Sequence, residues 1–235
     1  MQNDPAKKVK TVLMQVFERS QKSGSKALLL FGPRGSGKTL AAHALAHEIG
    51  GIIAQLEGQE LFQIQYFVKE FARVSLEMQG NRPLIIFVRN IDTLYNVMGP
   101  FMFLFDKFSM CSNKVLLIAS SSTPLKNLPP QIGKKFLYSL CIRPAPQNLK
   151  FQLFKFISNN SGINLDISDQ EIMNIVNNSL RNYSNADIFQ LLKLAFDLKK
   201  QNGDLKGGVT SVYINKALQI VPGSLTPEIL KCYYL

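Results

Sequence analysis

Apolar residues along this chain follow two rhythms, and the change from one to the other falls near Arg143–Gln147. Before it, helical periods alternate with short unbroken apolar runs. Val9, Val12, Leu13, Val16 and Phe17 recur at helical spacing, predicting a helix over Pro5–Ser20 with Pro5 in its first turn. Lys26–Phe31, Ile52–Leu56, Leu84–Val88, Lys114–Ala119 and Phe136–Ile142 read as strands. Their continuous apolar character suits strands covered on both faces. Leu40–Gly50 and Glu60–Gln79 read as helices between them, Thr93–Phe108 as an apolar, aromatic stretch, and Ser120–Leu128 as a polar loop. Such alternation predicts a parallel sheet with helices on both faces.

Beyond Pro144 and Pro146 only helical periods remain. Leu149–Asn159 has an apolar stripe. Ser168–Leu180 opens with Ser168 and Glu171 at capping-box spacing, and Ser184–Lys200 opens with Ser184 and Asp187 in the same way. Ser211–Ile220 follows, then Thr226–Tyr234, with Thr226 at the cap and Pro227 at the first helical position. The expected organisation is an α/β nucleotide-binding domain over 1–143 and a helical lid domain over 144–235. The abrupt ending Cys232–Leu235 suggests a fragment of a longer protein.

The first strand runs directly into Gly32, Pro33, Arg34, Gly35, Ser36, Gly37, Lys38 and Thr39, a complete G-x-x-x-x-G-K-[ST], and Leu40 begins the following helix. Strand, loop and helix in that order are the context a P-loop requires. The glycines let backbone N–H groups close around a phosphate chain at a helix start whose dipole also favours anions. Lys38 then reaches the β and γ phosphates of ATP or ADP, and the Thr39 hydroxyl is the candidate Mg²⁺ ligand. Gly32–Leu40 are the candidate nucleotide-binding residues.

Charge and composition narrow the picture. The 235 residues carry a formal charge of +11, which suits acidic partners, although the lysines are scattered and form no block. No apolar run approaches the length of a membrane span, and the polar start MQNDPAKKVK has no signal-peptide core. Cys111, Cys141 and Cys232 are too far apart for a metal cluster or a disulfide framework, which points to a reducing, cytoplasmic compartment. His43 and His47 lie four apart on a helix but lack a third ligand, so they read as helix-surface histidines. The Met98–Phe108 cluster lacks interleaved Arg or Lys and reads as core rather than a base-stacking platform.

Five segments, in order, resemble the AAA group of the AAA+ superfamily. FGPRGSGKTLAAHALAHEIG resembles its P-loop and helix. PLIIFVRNIDTL lies where the family has its Walker B strand. VLLIASSSTP resembles the sensor-1 strand, and NLPPQIGKKF the arginine-finger segment. NYSNADIFQLLKLA resembles the lid motif of the katanin, spastin and Vps4 relatives. The resemblance implies a P-loop parallel-sheet sandwich followed by a small helical lid.

It also exposes departures. The family's Walker B Asp and Glu are replaced by Arg89 and Asn90, its sensor-1 Asn by Ser122, and its two arginine fingers by Lys134 and Lys135. Asn90 cannot act as a base. Arg89 puts a cation near the metal position, where two like charges ~4 Å apart repel by about 4 kcal/mol at an effective dielectric of ~20. That weakens Mg²⁺ unless Arg89 turns away or pairs with a phosphate. Asp92 matches a later family Asp that does not orient the metal. Ser122 keeps a hydroxyl that can touch a γ-phosphate, and the lysines lose the bidentate fork of arginine. The Walker B strand itself offers no replacement carboxylate. Glu60–Phe67 is too short for the family's first pore loop, and Phe62, its one candidate remnant, reads as core; the stretch after Asp92 is apolar where the family has a polar second pore loop.

The expectation is a nucleotide-binding but catalytically impaired module, a scaffold or regulatory subunit among other protein subunits. Its lid resemblance and basic charge point to a microtubule, cilium or axoneme setting. VYINKALQIVP is also similar to the axonemal IQ-and-AAA-domain proteins. An active hexameric remodelling ATPase is the alternative. A DNA-handling AAA+ protein rests on net charge alone, with no winged-helix or zinc segment to read DNA.

Overall fold

Alternate side chains on the strands divide into two apolar sets, and this division builds the first part of the fold. The structure, a computed structural model, describes residues 5–23, 27–57, 73–78, 80, 82–93, 99, 102–103, 105–106, 115–136, 138–204 and 206–233. Strands β1 (Ala27–Phe31), β2 (Ile52–Glu57), β3 (Leu84–Arg89), β4 (Val115–Ser121) and β5 (Tyr138–Cys141) form a sheet of order β2-β3-β4-β1-β5. Every pairing described is parallel. Ala27, Leu29, Ile86, Val88, Leu117 and Ala119 enter one core. Leu28, Leu30, Ile85, Phe87, Leu116 and Ile118 enter the other, with Leu13 and Val16 of α1 (Pro5–Ser23) and Ala42 and Leu45 of α2 (Lys38–Glu48). Burial on both faces explains why these strands carry no polar alternation.

Three element ends differ from the sequence reading in ways that matter. β2 runs one residue further, to Glu57, and β3 one further, to Arg89. Ser120 and Ser121, read as loop, finish β4. Backbone pairing, rather than apolar character, sets these ends, so polar residues continue the ladders. The polar stretch beyond is also structured: Leu125–Asn127 is a 3-10 turn, and Pro130–Gly133 forms the short helix α3.

Contacts group the chain into two units. One comprises Met1–Gly32 with Lys38–Ile142, the other Pro33–Gly37 with Arg143–Leu235. Placing the middle of the phosphate loop with the C-terminal helices is not something chain order announces. The second unit contains α4 (Gln147–Asn160), α5 (Asp169–Ser179), α6 (Asn185–Gln201), α7 (Ser211–Ile220) and α8 (Pro227–Lys231). Its core gathers Phe154, Ile172, Val176, Leu191, Leu192, Ala195, Ile214 and Ala217. Both capping boxes form: Ser168 with Glu171 starts α5, and Ser184 with Asp187 starts α6. Bonds from the Ser168 backbone and hydroxyl hold the Glu171 carboxyl below the usual carboxylate range.

Lys150 lies on α4 yet is buried. Its ammonium donates to the carbonyls of Leu180 (2.5 Å) and Arg181 (2.9 Å), just past the end of α5. A cation there suits the negative end of the helix dipole. Burial lowers its pKa to about 8, and the Asp187 charge pulls the other way.

Among the expected features, most of Glu60–Gln79, with Phe62, most of Thr93–Phe108, and Cys111 lie outside the described residues. Within the Met98–Phe108 cluster, Met102 and Phe105 pack on the first core, and Phe105 meets Phe136 edge-on at 6.0 Å. Phe103 is exposed.

Candidate functional site

Strand register explains why residues far apart in sequence share one edge of the sheet. Phe31 pairs with Ser121, Val88 with Ala119, and Glu57 with Arg89. The residues just beyond these pairs, Gly32, Ser122 and Asn90, therefore leave the sheet at the same carboxyl edge. That is where open parallel sheets present ligand-binding loops.

The phosphate loop begins with Gly32 donating from its backbone N–H to the Ser121 carbonyl at 3.3 Å. Lys38, the first residue of α2, is 8% exposed, and its ammonium donates to the Gly32 carbonyl at 2.7 Å. The lysine is thus tied back to the residue that opens the loop. Thr39 follows on α2, half-buried, and Leu40 is exposed.

Inside the second unit, the back of the loop is gripped by the start of α6. The backbone N–H of Ala186 donates to the Gly35 carbonyl at 3.2 Å. The Asn185 amide donates to the Ser36 carbonyl at 3.0 Å, and its oxygen accepts from the backbone N–H of Ala145 at 2.9 Å. These bonds engage the loop's carbonyls. A donor on a carbonyl polarises its peptide unit and strengthens the N–H on the other side, here those of Ser36 and Gly37. Gly35 cannot be another residue: its φ is +73°, and a Cβ would lie 2.3 Å from the Ser184 hydroxyl. Asp187 organises the helix start by accepting from the Ser184 N–H (2.7 Å), the Ser224 N–H (2.9 Å) and the Ser224 hydroxyl (2.6 Å).

The substituted positions lie at the ends of β3 and β4. Arg89 does not stand as a loose cation, nor is it left to pair with a phosphate: its guanidinium meets the Glu57 carboxylate at 2.7 Å. The Asn90 side chain donates to the other Glu57 oxygen at 3.0 Å. Parallel register is the cause, since Glu57 and Arg89 are directly opposed partners. The carboxylate absent from β3 is therefore supplied by the end of β2, and both substituted residues hold it. Asn90 has φ +53°, and no other non-glycine residue described has positive φ. Asn tolerates that region well. The kink turns the chain into the 3-10 turn Ile91–Thr93, with the Thr93 N–H and hydroxyl both donating to the Asn90 carbonyl.

Ser122 donates its hydroxyl to Asp92 at 2.8 Å, with its own N–H and the Thr123 hydroxyl each 3.4 Å from the same carboxylate. The one sensor-position hydroxyl is thus committed to Asp92. Lys134 is exposed, whereas Lys135 lies 3.7 Å from Asp106 and over the Phe105 ring at 5.3 Å. His43 and His47 are both exposed on α2, and His43 contacts Gln55 at 3.2 Å. Among the described residues no His, Cys, Asp and Glu side chains cluster as a metal site.

A nucleotide's phosphates fit the loop. The Ser36 hydroxyl is buried there without a hydrogen-bond partner, an orphan that an anion's oxygens would satisfy. Lys38 supplies charge, and the backbone N–H groups of Lys38 and Thr39 open the helix. Magnesium does not fit in the manner the resemblance implies. Thr39 offers a hydroxyl, but Glu57 is held by a cation and an amide, and Asp92 by two hydroxyl residues. The sequence reading missed Glu57, and so overstated the open charge of Arg89. Only strand register carries that signal.

Comparison with known proteins agrees with this frame. Residues 28–143 match the family model described as ATPase family associated with various cellular activities (AAA). Protein SAV of Sulfolobus acidocaldarius is 38% identical over 82 residues, 34% of this chain and 10% of that protein. The proteasome-activating nucleotidase of Thermococcus onnurineus is 38% identical over 84 residues, 34% of this chain and 21% of that protein. The chain spans about a fifth or less of these relatives' length. The FIGL-1 AAA domain solved in complex with ADP superposes with a TM-score of 0.78 at 20% identity, over 96% of this chain and 84% of that one. A structure solved for katanin self-assembly superposes with a TM-score of 0.74 at 24% identity, over 96% and 85% of the two chains. The α/β fold is that of these AAA domains.

Proposed function

Taking residues 28–143 as an AAA domain, we propose that this chain binds ATP or ADP on Gly32–Leu40 but is impaired in hydrolysis, and serves as a scaffold or regulatory subunit. One observation carries the reading. The phosphate loop is complete, with a buried lysine and an orphaned buried hydroxyl, while the groups that should activate water are tied to one another. A base must be free to take a proton from the attacking water. Asn90 has no basic atom, and Glu57 already holds Arg89 and Asn90. Exposed Lys134 keeps a charge that could face a neighbouring subunit, without the planar fork that suits a transferring phosphoryl group.

A microtubule-, cilium- or axoneme-associated assembly is the setting we favour. What supports it is the katanin-like lid sequence, the likeness to the AAA domain of a katanin structure, and a net charge of +11 suited to acidic protein surfaces. Partners are then other subunits of a larger complex.

The test is steady-state ATP turnover by the purified chain beside its ATP affinity. The expected result is binding with turnover at background, and a measurable gain in the double variant Arg89→Asp, Asn90→Glu. Vigorous wild-type hydrolysis would overturn the proposal. It would favour the second reading, an active ring-forming ATPase, whose support is the 38% identity to a proteasome-activating nucleotidase over 84 residues.

A further inference from the structure

We infer that this chain binds its nucleotide without a divalent cation, the Glu57–Arg89–Asn90 cluster standing where a metal's carboxylate support would be. The inference rests on the nucleotide-binding reading and concerns how that same site is neutralised. A magnesium ion demands a near-ideal shell of oxygen ligands and favours anionic ones. At the carboxyl edge of this sheet, β3 ends in a guanidinium and an amide instead. The nearest carboxylate by register, Glu57, has one oxygen on Arg89 at 2.7 Å and the other on Asn90 at 3.0 Å. The charge of Glu57 is cancelled by Arg89, so the cluster has no net negative charge to offer a dication. Asp92 accepts from Ser122 and Thr123.

The phosphates therefore draw their neutralisation from the loop itself. Lys38 sits inside it. The backbone N–H groups at the start of α2 add the positive end of a helix dipole. This set is complete without a cation, and Arg89, moored on Glu57, disfavours one nearby.

The experiment titrates ADP into the purified chain by calorimetry, once in Mg²⁺ and once in EDTA. Since Mg²⁺ itself complexes ADP, a chain that takes the nucleotide without the cation should bind ADP more weakly in Mg²⁺ than in EDTA, by the factor by which Mg²⁺ lowers free ADP. Manganese spectroscopy gives an independent readout. With ADP and Mn²⁺, adding the chain should draw ADP away from Mn²⁺ and shift the paramagnetic signal toward that of free Mn²⁺, with no protein-bound spectrum. Binding in Mg²⁺ as tight as in EDTA or tighter, or a protein-bound Mn²⁺ spectrum, would overturn the inference while leaving nucleotide binding intact. Absence of ADP binding in both buffers would overturn the binding reading and this inference with it. Arg89→Asp, checked for folding by circular dichroism, should gain at least about a tenfold preference for the Mg²⁺ buffer. No gain in the folded variant would contradict the part assigned to Arg89.

Discussion

The phosphate loop and the ends of β2, β3 and β4 meet opposite fates. In the loop, carbonyls are engaged from behind by Asn185 and Ala186, Lys38 is drawn inward, and the Ser36 hydroxyl waits unpartnered. At the strand ends, each carboxylate is held within its own unit: Glu57 by Arg89 and Asn90, and Asp92 by Ser122. The loop is arranged to receive an anion. The strand ends are arranged to satisfy each other. On the proposed reading, binding and hydrolysis are separable, because they draw on different groups.

The largest test of this contrast strikes the loop. Lys38→Ala should weaken ADP binding by about a thousandfold, about 4 kcal/mol, measured by calorimetry, with the fold intact by circular dichroism. Next comes the grip behind the loop. Asp187→Ala removes an acceptor shared by Ser184 and Ser224 in a buried position. It should lower unfolding free energy by about 3 kcal/mol in urea. A smaller effect is expected at the strand ends. Glu57→Ala breaks a half-exposed ion pair and should lower stability by about 0.5–1 kcal/mol without creating hydrolysis. If it produced steady turnover, the strand ends would be masking a catalytic group rather than lacking one.

The last effect concerns pH. Burial holds Lys150 at about 8, below its ordinary 10.5. The unfolded chain then binds the extra proton between those values, so stability rises with pH through that window as the penalty of burying the charge is relieved. Unfolding midpoints of wild type and Lys150→Met, compared from pH 7.5 to 10.5 (about the window set by that shift), should show the rise in the wild type alone.

What was legible in the sequence followed from how local each signal is. The loop motif and the capping boxes at Ser168–Glu171 and Ser184–Asp187 lie within a few residues of themselves, so spacing alone exposes them. Continuous apolar runs identified the parallel strands, as burial on both faces requires. The Glu57–Arg89 pair was hidden because it depends on register between two strands, which no apolar pattern reports. Ser122–Asp92 was hidden for the same reason. Asn185 reaching Ser36 spans most of the chain, and nothing in a lid motif indicates which carbonyl its amide will find. Lys150 reads as an ordinary helix-surface lysine until the end of α5 is placed beside it.

The central claim is that the site holds ATP and leaves it whole. The direct measurement is a single-turnover experiment. Radiolabelled ATP is bound to an excess of the purified chain in Mg²⁺, and the bound nucleotide is recovered over time and separated into ATP and ADP. The account predicts that bound ATP persists as ATP at the rate of its decay in buffer. Conversion to ADP on the protein, abolished in Lys38→Ala, would contradict it.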